Sequence, residues 1–328
     1  MRRQFEFEAE PFELDPEFDS EWETFDPEVE DEWYDEMTEA SSPSSSGALG
    51  MPTGLRGRPC SGGGGTTIDR CKTRHPCPKI PDLLCVTAVN NIPFEYVAHL
   101  YDRKGILIKK RIIKDPTSKL FQVVDRVPNR EQQFIPEVGT ALIAFLANMS
   151  RFGMPVAAIL TMGAIYCRCI KGTDNLSNHS FGDAIDITGV RWATVGKPQS
   201  TLPDTIIHNY NSRDQREKTL IRRINACLRL SFPTVLDYNY KRLRHEDHFH
   251  CDLNRKRGRN PKGESTLGFV QEALTIVLGR NVPITGKFDQ ATQQALQAFS
   301  GLGRPALDNT QQLNQVLEKL FTRVAAGR

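Results

Sequence analysis

Two stretches of the chain carry side chains able to share one cation. RLRHEDHFHCDL, residues 242–253, holds His245, His248 and His250, three of the seven histidines, and LSNHSFGDAIDI, residues 176–187, holds His179 and Asp186 with Gly182 between them. Imidazole nitrogen and carboxylate oxygen are both zinc ligands, and a glycine between the two allows a tight approach of the loop. On a strand, residues i and i+2 share a face, so H-x-H turns His248 and His250 one way and Phe249 and Cys251 the other. Each stretch alone has a plainer reading. His179 is then a solvated loop residue beside an Asp186 that pairs locally, and the two strand histidines are hydrogen-bonded at a sheet surface. Together the stretches offer a His, Asp, His set with a further histidine. That is the ligand number of a catalytic zinc site with its fourth position open, whereas a structural site is normally closed by four ligands.

The elements that must position these residues follow from periodicity. FEYVAHLYDRKGILIKKRIIK reads as two strands joined at Asp102 to Gly105, and EQQFIPEVGTALIAFLANMSRFG as a helix stopped by Gly153. VAAILTMGAIYCRCI reads as strand, DAIDITGV as a short buried strand, RDQREKTLIRRINACLRL as an amphipathic helix, and HFHCDL as a final strand. The class is α+β, with a small antiparallel-sheet domain over 68–254, a basic linker over 255–264 and a three-helix domain over 265–328. Ahead of them, residues 1–67 read as a disordered acidic tail and a Ser, Gly and Pro linker.

Composition narrows the setting. Residues 1–40 hold seventeen Asp or Glu and two Arg, so the net charge of +2 conceals −15 in the tail and +17 in the remainder. A basic body suits a polyanion such as bacterial cell wall, and without basic and aromatic interleaving or a nucleic-acid motif the expectation is no nucleic-acid partner. The first residues lack the apolar run of a secretory signal, and no 18-residue apolar stretch predicts a membrane span. Eight cysteines lean towards disulfides and an oxidising place of action. Both clues hold if the protein is exported by a non-classical route or released by lysis, with the acidic tail as an address or a solubilising segment for an export or loading partner. Cys71, His75 and Cys77 read either as disulfide or free cysteines or as a second metal site, their irregular spacing favouring the former.

The motif S-x-H-x-x-G-x-A-x-D fits Ser177, His179, Gly182, Ala184 and Asp186, and H-x-x-H-x-H fits His245, His248 and His250. With YCRCIKGTDNLSNH ahead of them, residues 85–254 resemble the extensin-like C-terminal domain, grouped with zinc peptidases such as the D-alanyl-D-alanine carboxypeptidases and murein endopeptidases. The resemblance implies zinc held by His179, Asp186 and His250, with His248 as general base, His245 assisting at the oxyanion, and Arg168 orienting the substrate or stabilising the transition state. Many relatives use Glu-x-x-His with the Glu as base. Glu246 stands three residues before Phe249, so the histidine-rich variant applies and Glu246 and Asp247 become flanking acids.

A second resemblance lies in LGFVQEALTIVLGRNVPITGKFDQATQQALQAFSG, which is similar to a peptidoglycan-binding repeat. Val270, Ala273, Leu274 and Val277 recur at helical spacing, Asp289 reads as an N-cap, and Ala295 and Phe299 as core. Ser300 stands where the repeat usually has Gln; a small helical partner-binding domain is the other reading. The expectation is thus a zinc-dependent peptidase acting on peptidoglycan stems or cross-links outside the cytoplasm, with a delivered lytic effector as one form of that activity. The alternative is a wall-binding zinc protein without catalysis.

Overall fold

The structure is a computed structural model describing residues 52–60, 78–80, 82–97, 112–114, 121–123 and 126–128, and 131–328 except 171–174, 194–204, 208–209, 211–213, 241–244, 246 and 256–257. The acidic tail, the turn expected at Asp102 to Gly105, and Cys71, His75, Cys77 and Glu246 lie outside the described residues.

In chain order the elements are β1 (Leu55–Pro59), β2 (Leu84–Val89), β3 (Ile92–Val97), β4 (Ile112–Lys114), β5 (Phe121–Val123), β6 (Arg126–Pro128), β7 (Gln132–Phe134), α1 (Pro136–Arg151), β8 (Val156–Gly163), β9 (Ala184–Trp192), β10 (Thr205–Ile206), α2 (Gln215–Ser231), β11 (Thr234–Leu236), β12 (Phe249–Asp252), α3 (Glu264–Leu278), α4 (Gln290–Ser300), α5 (Arg304–Asp308) and α6 (Thr310–Ala325). The architecture is mixed α+β, with six α-helices among the described residues. The main sheet runs β1-β2-β3-β8-β9-β12-β11, with β7 on β2, β6 on β3 and β10 on β9; β4 and β5 pair separately. Among the described residues every ladder is antiparallel except β3 with β8. No helix among the described residues is long and apolar enough to cross a membrane.

Three local features depart from the periodicity reading. Part of the expected linker is strand β1, because Cys60 is disulfide-bonded to Cys85 of β2 and Leu55 packs against Gly139 of α1. Gln132 to Phe134, read as helix, pair with β2, since Pro136 sits at the first helical turn and helices start readily there. The strand expected to run through Ile170 ends at Gly163, whose φ of +133° breaks the extended run. Asn90 and Asn91 both take positive φ and close the two-residue hairpin between β2 and β3, the conformation that a type I′ turn requires.

The core is continuous from sheet to C-terminus. Ile185 and Ile187 of β9 and Phe249 and Cys251 of β12 share it with α1, α2, α3 and α6. Strand alternation then sends Asp186 and His250 to the other face of the sheet. In the C-terminal part, Val270, Ala273 and Leu274 pack with Ala295 and Leu296, and Asp289 caps α4 by accepting the Thr292 N–H at 2.8 Å. Gln271 is buried, its carbonyl oxygen accepting the N–H groups of Thr285 and Gly286 and its amide donating to the Lys287 carbonyl, which fixes the ITGK turn.

Two buried polar clusters tie the C-terminal helices to the sheet. Glu272 of α3 accepts from Tyr210 at 2.8 Å, Arg222 of α2 at 2.6 Å, and Tyr238 and Asn239 at 3.0 Å each. Arg229 of α2 pairs with Asp237 at 2.9 Å, donates to the Val235 carbonyl of β11, and reaches the Ser265 carbonyl of α3 at 3.1 Å. Asp237 also accepts from Asn225 and from the Asn239 N–H, so its carboxylate is fully surrounded by donors. Strand β11 lies against β12, so this cluster backs the strand that carries His250. Removing one partner of a buried ion pair strands the other charge. Arg229→Met should therefore destabilise the protein by about 3–5 kcal/mol in urea unfolding; a loss below about 1 kcal/mol would show that Asp237 finds another partner.

Candidate metal centre

The site begins with register. Strand β12 pairs with β9 so that His250 lies directly opposite Asp186, and cross-strand partners of an antiparallel ladder project to the same face. On the other side of β9, Gly163 is paired with Asp186, and the Thr161 hydroxyl donates to the Asp186 carbonyl at 2.7 Å. Asp186 is thus held from both flanks.

His179 arrives from a separate element, a 3-10 turn over Asn178–Phe181. Gly182 ends this turn at φ +68°, where a Cβ would stand 3.0 Å from Leu83, so glycine is needed for conformation and for space. The Gly182 carbonyl accepts the Ile135 N–H at the start of α1. Ser180 anchors the turn on its other side. Its hydroxyl accepts the Arg168 N–H at 3.0 Å and lies 2.9 Å from the Arg168 carbonyl and 3.1 Å from that of Tyr166. The Ser177 N–H adds a bond to the Arg168 carbonyl at 2.9 Å. Arg168, flanked by the disulfide-bonded Cys167 and Cys169, is therefore fixed by its backbone beside the His179 turn, with its guanidinium 5.6 Å from the Tyr166 ring centre.

Three ligand atoms converge. His179 Nε2 is 3.1 Å from Asp186 Oδ1 and 3.0 Å from His250 Nδ1, and His250 Nδ1 is 3.1 Å from the same Asp186 oxygen. Their outer nitrogens face acceptors: His179 Nδ1 lies 2.5 Å from the Ala164 carbonyl and His250 Nε2 lies 3.2 Å from Asp252 Oδ2. Each outer nitrogen must carry the proton to satisfy its acceptor, so in the neutral rings both inward nitrogens present lone pairs. Two lone pairs and a carboxylate oxygen on a triangle of 3.0 to 3.1 Å repel one another unless something positive sits among them. A tetrahedral ion with ligand bonds of about 2.0–2.1 Å has ligands about 3.3 Å apart, so this triangle nearly matches one face of such a tetrahedron. The donor set fits a divalent cation of the zinc type with one position left to fill. Among the described residues, His179, Asp186 and His250 are a group whose ligand atoms lie close enough together that they could hold a metal ion.

The remaining site residues lie round this triangle. His248 Nε2 is 3.7 Å from Asp186 Oδ1, and its Nδ1 is 2.7 Å from Asp247 Oδ1, so Asp247 orients the ring. The buried His245 ring is 5.0 Å from that of His248 and 6.1 Å from that of His250. Asp252 and Ser180 did not emerge from the motifs, and Asp247 emerged only as a flanking acid. Asp252 carried a signal in the sequence, since it continues the alternation of His248 and His250 on one strand face.

Electrostatics agree with an unmet demand for positive charge. Burial by itself would raise the Asp186 carboxyl, yet attraction to His179 and His248 and the imidazole hydrogen bonds hold it well below the usual range. Burial opposes charging of His250, but hydrogen bonds to Asp186 and Asp252 outweigh it and lift the ring to about 9. His248 is likewise raised, burial being outweighed by Asp186 and Asp247.

No curated protein and no solved structure is detectably similar to the chain. One family does match, over residues 142–261, a span running from α1 through both histidine-bearing elements to the residues just ahead of α3. It starts later than the resemblance read from the motifs and takes in every residue of the triangle. The segment that carries the candidate metal centre matches the family described as Extensin-like protein C-terminus.

Proposed function

We propose that the protein is a zinc-dependent peptidase that hydrolyses peptide stems or cross-links of bacterial peptidoglycan. The observation that carries this reading is the triangle of His179 Nε2, Asp186 Oδ1 and His250 Nδ1, with both outer imidazole nitrogens committed to acceptors. Three protein ligands and an open position are the pattern of catalytic zinc. When bound, zinc supplies a Lewis acid that polarises a carbonyl and brings the pKa of water towards neutrality.

The chain's own residues supply the rest. Asp247 keeps the His248 proton on Nδ1 and leaves Nε2 to take a proton from the attacking water and return it to the leaving amine. Charge neutralisation at Asp186 weakens the main attraction that lifts His248, which leaves that ring more readily unprotonated and able to act as a base. His245, close to both His248 and His250, is placed to donate to the developing oxyanion. Arg168, braced by Ser177 and Ser180, offers a guanidinium to a substrate carboxylate.

Peptidoglycan is favoured as substrate by the extensin-like segment, by the net charge of +17 outside the acidic tail, and by helices α3–α6, which we read as a wall-binding unit over 265–328. Disulfides at Cys60, Cys85, Cys167 and Cys169 support a place of action outside the reducing cytoplasm. The acidic tail would then serve export or loading.

Incubation with purified sacculi, followed by mass spectrometry of the soluble muropeptides, tests the activity. New stem-peptide products should appear, vanish on chelation and return with zinc; stoichiometric zinc without products would leave a binding protein. His248→Ala should keep its zinc and lose activity by on the order of 10²–10⁴-fold, whereas His250→Ala should lose both. Equal zinc content and equal residual activity in the two variants would refute these roles. Zinc affinity should also depend on pH. The metal-free His250 holds a proton up to about pH 9, and that proton must leave before Nδ1 can bind. The apparent affinity should rise about tenfold per pH unit from pH 7 towards 9, read by chelator competition; a flat profile would show that zinc binding releases no proton from His250.

A further inference from the structure

Asp252 belongs to none of the motifs, yet both of its oxygens are committed. Oδ2 lies 3.2 Å from His250 Nε2, and Oδ1 accepts the Asn254 N–H at 2.8 Å. Asn254 has a left-handed backbone at φ +41° and donates from its side chain to the Gly258 carbonyl at 2.8 Å. The turn that ends β12 is therefore built on one carboxylate oxygen, and the ring of His250 is faced by the other. Asp252 is 4% exposed, so water is a poor substitute for either partner.

We propose that Asp252 is a positioning residue that sets which nitrogen of His250 carries the proton, and so makes Nδ1 available to the metal. This rests on reading His179, Asp186 and His250 as a zinc site. The requirement is for a carboxylate in particular, not for any acceptor. An acceptor is needed at both ends, towards the Asn254 N–H and towards His250 Nε2–H. An asparagine has one oxygen. If that oxygen keeps the turn bond to Asn254, the amide NH₂ points at His250 Nε2, which can then only accept. The proton moves to Nδ1, inside the triangle, where it competes with the metal. An alanine removes the partner without reversing the preference, leaving the ring free to choose either tautomer. The outer partners of metal-bound histidines commonly govern affinity in this way.

The two substitutions separate tautomer control from plain structural support. Structural support predicts that alanine, which deletes both hydrogen bonds, is worse than the isosteric asparagine. Tautomer control predicts the reverse. In the full chain stripped of metal, zinc dissociation constants by chelator competition should rise about 100-fold for Asp252→Asn and about 10-fold for Asp252→Ala. The d–d bands of cobalt(II)-loaded protein should shift or weaken more in the asparagine variant. Asparagine within twofold of wild type, or alanine the weaker binder, overturns the proposal. If the asparagine variant fails to fold, judged by melting of the metal-free protein, the alanine variant decides: unchanged zinc affinity and an unchanged cobalt spectrum overturn it. Wild-type protein that binds no zinc would instead defeat the underlying reading of the site, and this proposal with it.

Discussion

The pairing of His250 with Asp186 across β12 and β9 is the constraint on which the site rests. A one-residue slip of β12 would turn its alternating side chains over, sending the His250 position into the core and Phe249 out of it. The buried Phe249 and Cys251 resist that slip. The hydrophobic contacts that stabilise the sheet thus also determine which atoms face one another on its far side. His179 is the independent part, delivered by a short turn whose stop at Gly182 and braces at Ser180 and Ala164 leave the ring little freedom.

Charge explains why such a cluster is tolerable. Asp186 and His250 are buried, and burial disfavours the ionised form of each, yet His179 and His248 favour the Asp186 carboxylate, and Asp186 and Asp252 favour the charged His250 ring. Asp252 and Asp247 add negative charge behind the histidines, so the surroundings are arranged for a positive occupant at the centre. Fixed tautomers then turn an attractive region into a directional one. The scaffold behind it is polar as well as apolar: the cluster of Arg229, Asp237 and Ser265 backs β11, and Tyr238, which donates to Glu272, lies against the Phe249 ring at 6.1 Å. Helix α3 is thereby connected through buried contacts to the strand that bears His250.

What could be read from the residues alone was what strand and helix periods encode. The i, i+2 rule places His248 and His250 on one face, Gly153 and Asp289 mark the end and start of helices, and the spacing of His179, Gly182 and Asp186 suggests convergence. What could not be read depended on partners distant in sequence. Gln132 to Phe134 carry no strong strand signal and are recruited by β2, while Leu55 to Pro59 sit in a Gly-rich stretch and are held by β2 and the Cys60–Cys85 disulfide. The pairing of Glu272 with Arg222 and Tyr210 spans 50 or more residues, and no local pattern reports it. Asp247 was visible as an acid but not as the partner of His248, because that depends on the ring's rotamer.

The central claim is that one zinc ion sits at the centre of the three converging atoms. A crystal structure of the zinc-loaded protein with data collected on both sides of the zinc absorption edge tests this most directly. The account predicts one strong anomalous peak at about 2.0–2.2 Å from His179 Nε2, Asp186 Oδ1 and His250 Nδ1, with a non-protein ligand in the fourth position. No peak there, or a zinc bound through His250 Nε2 or at cysteines instead, would contradict it.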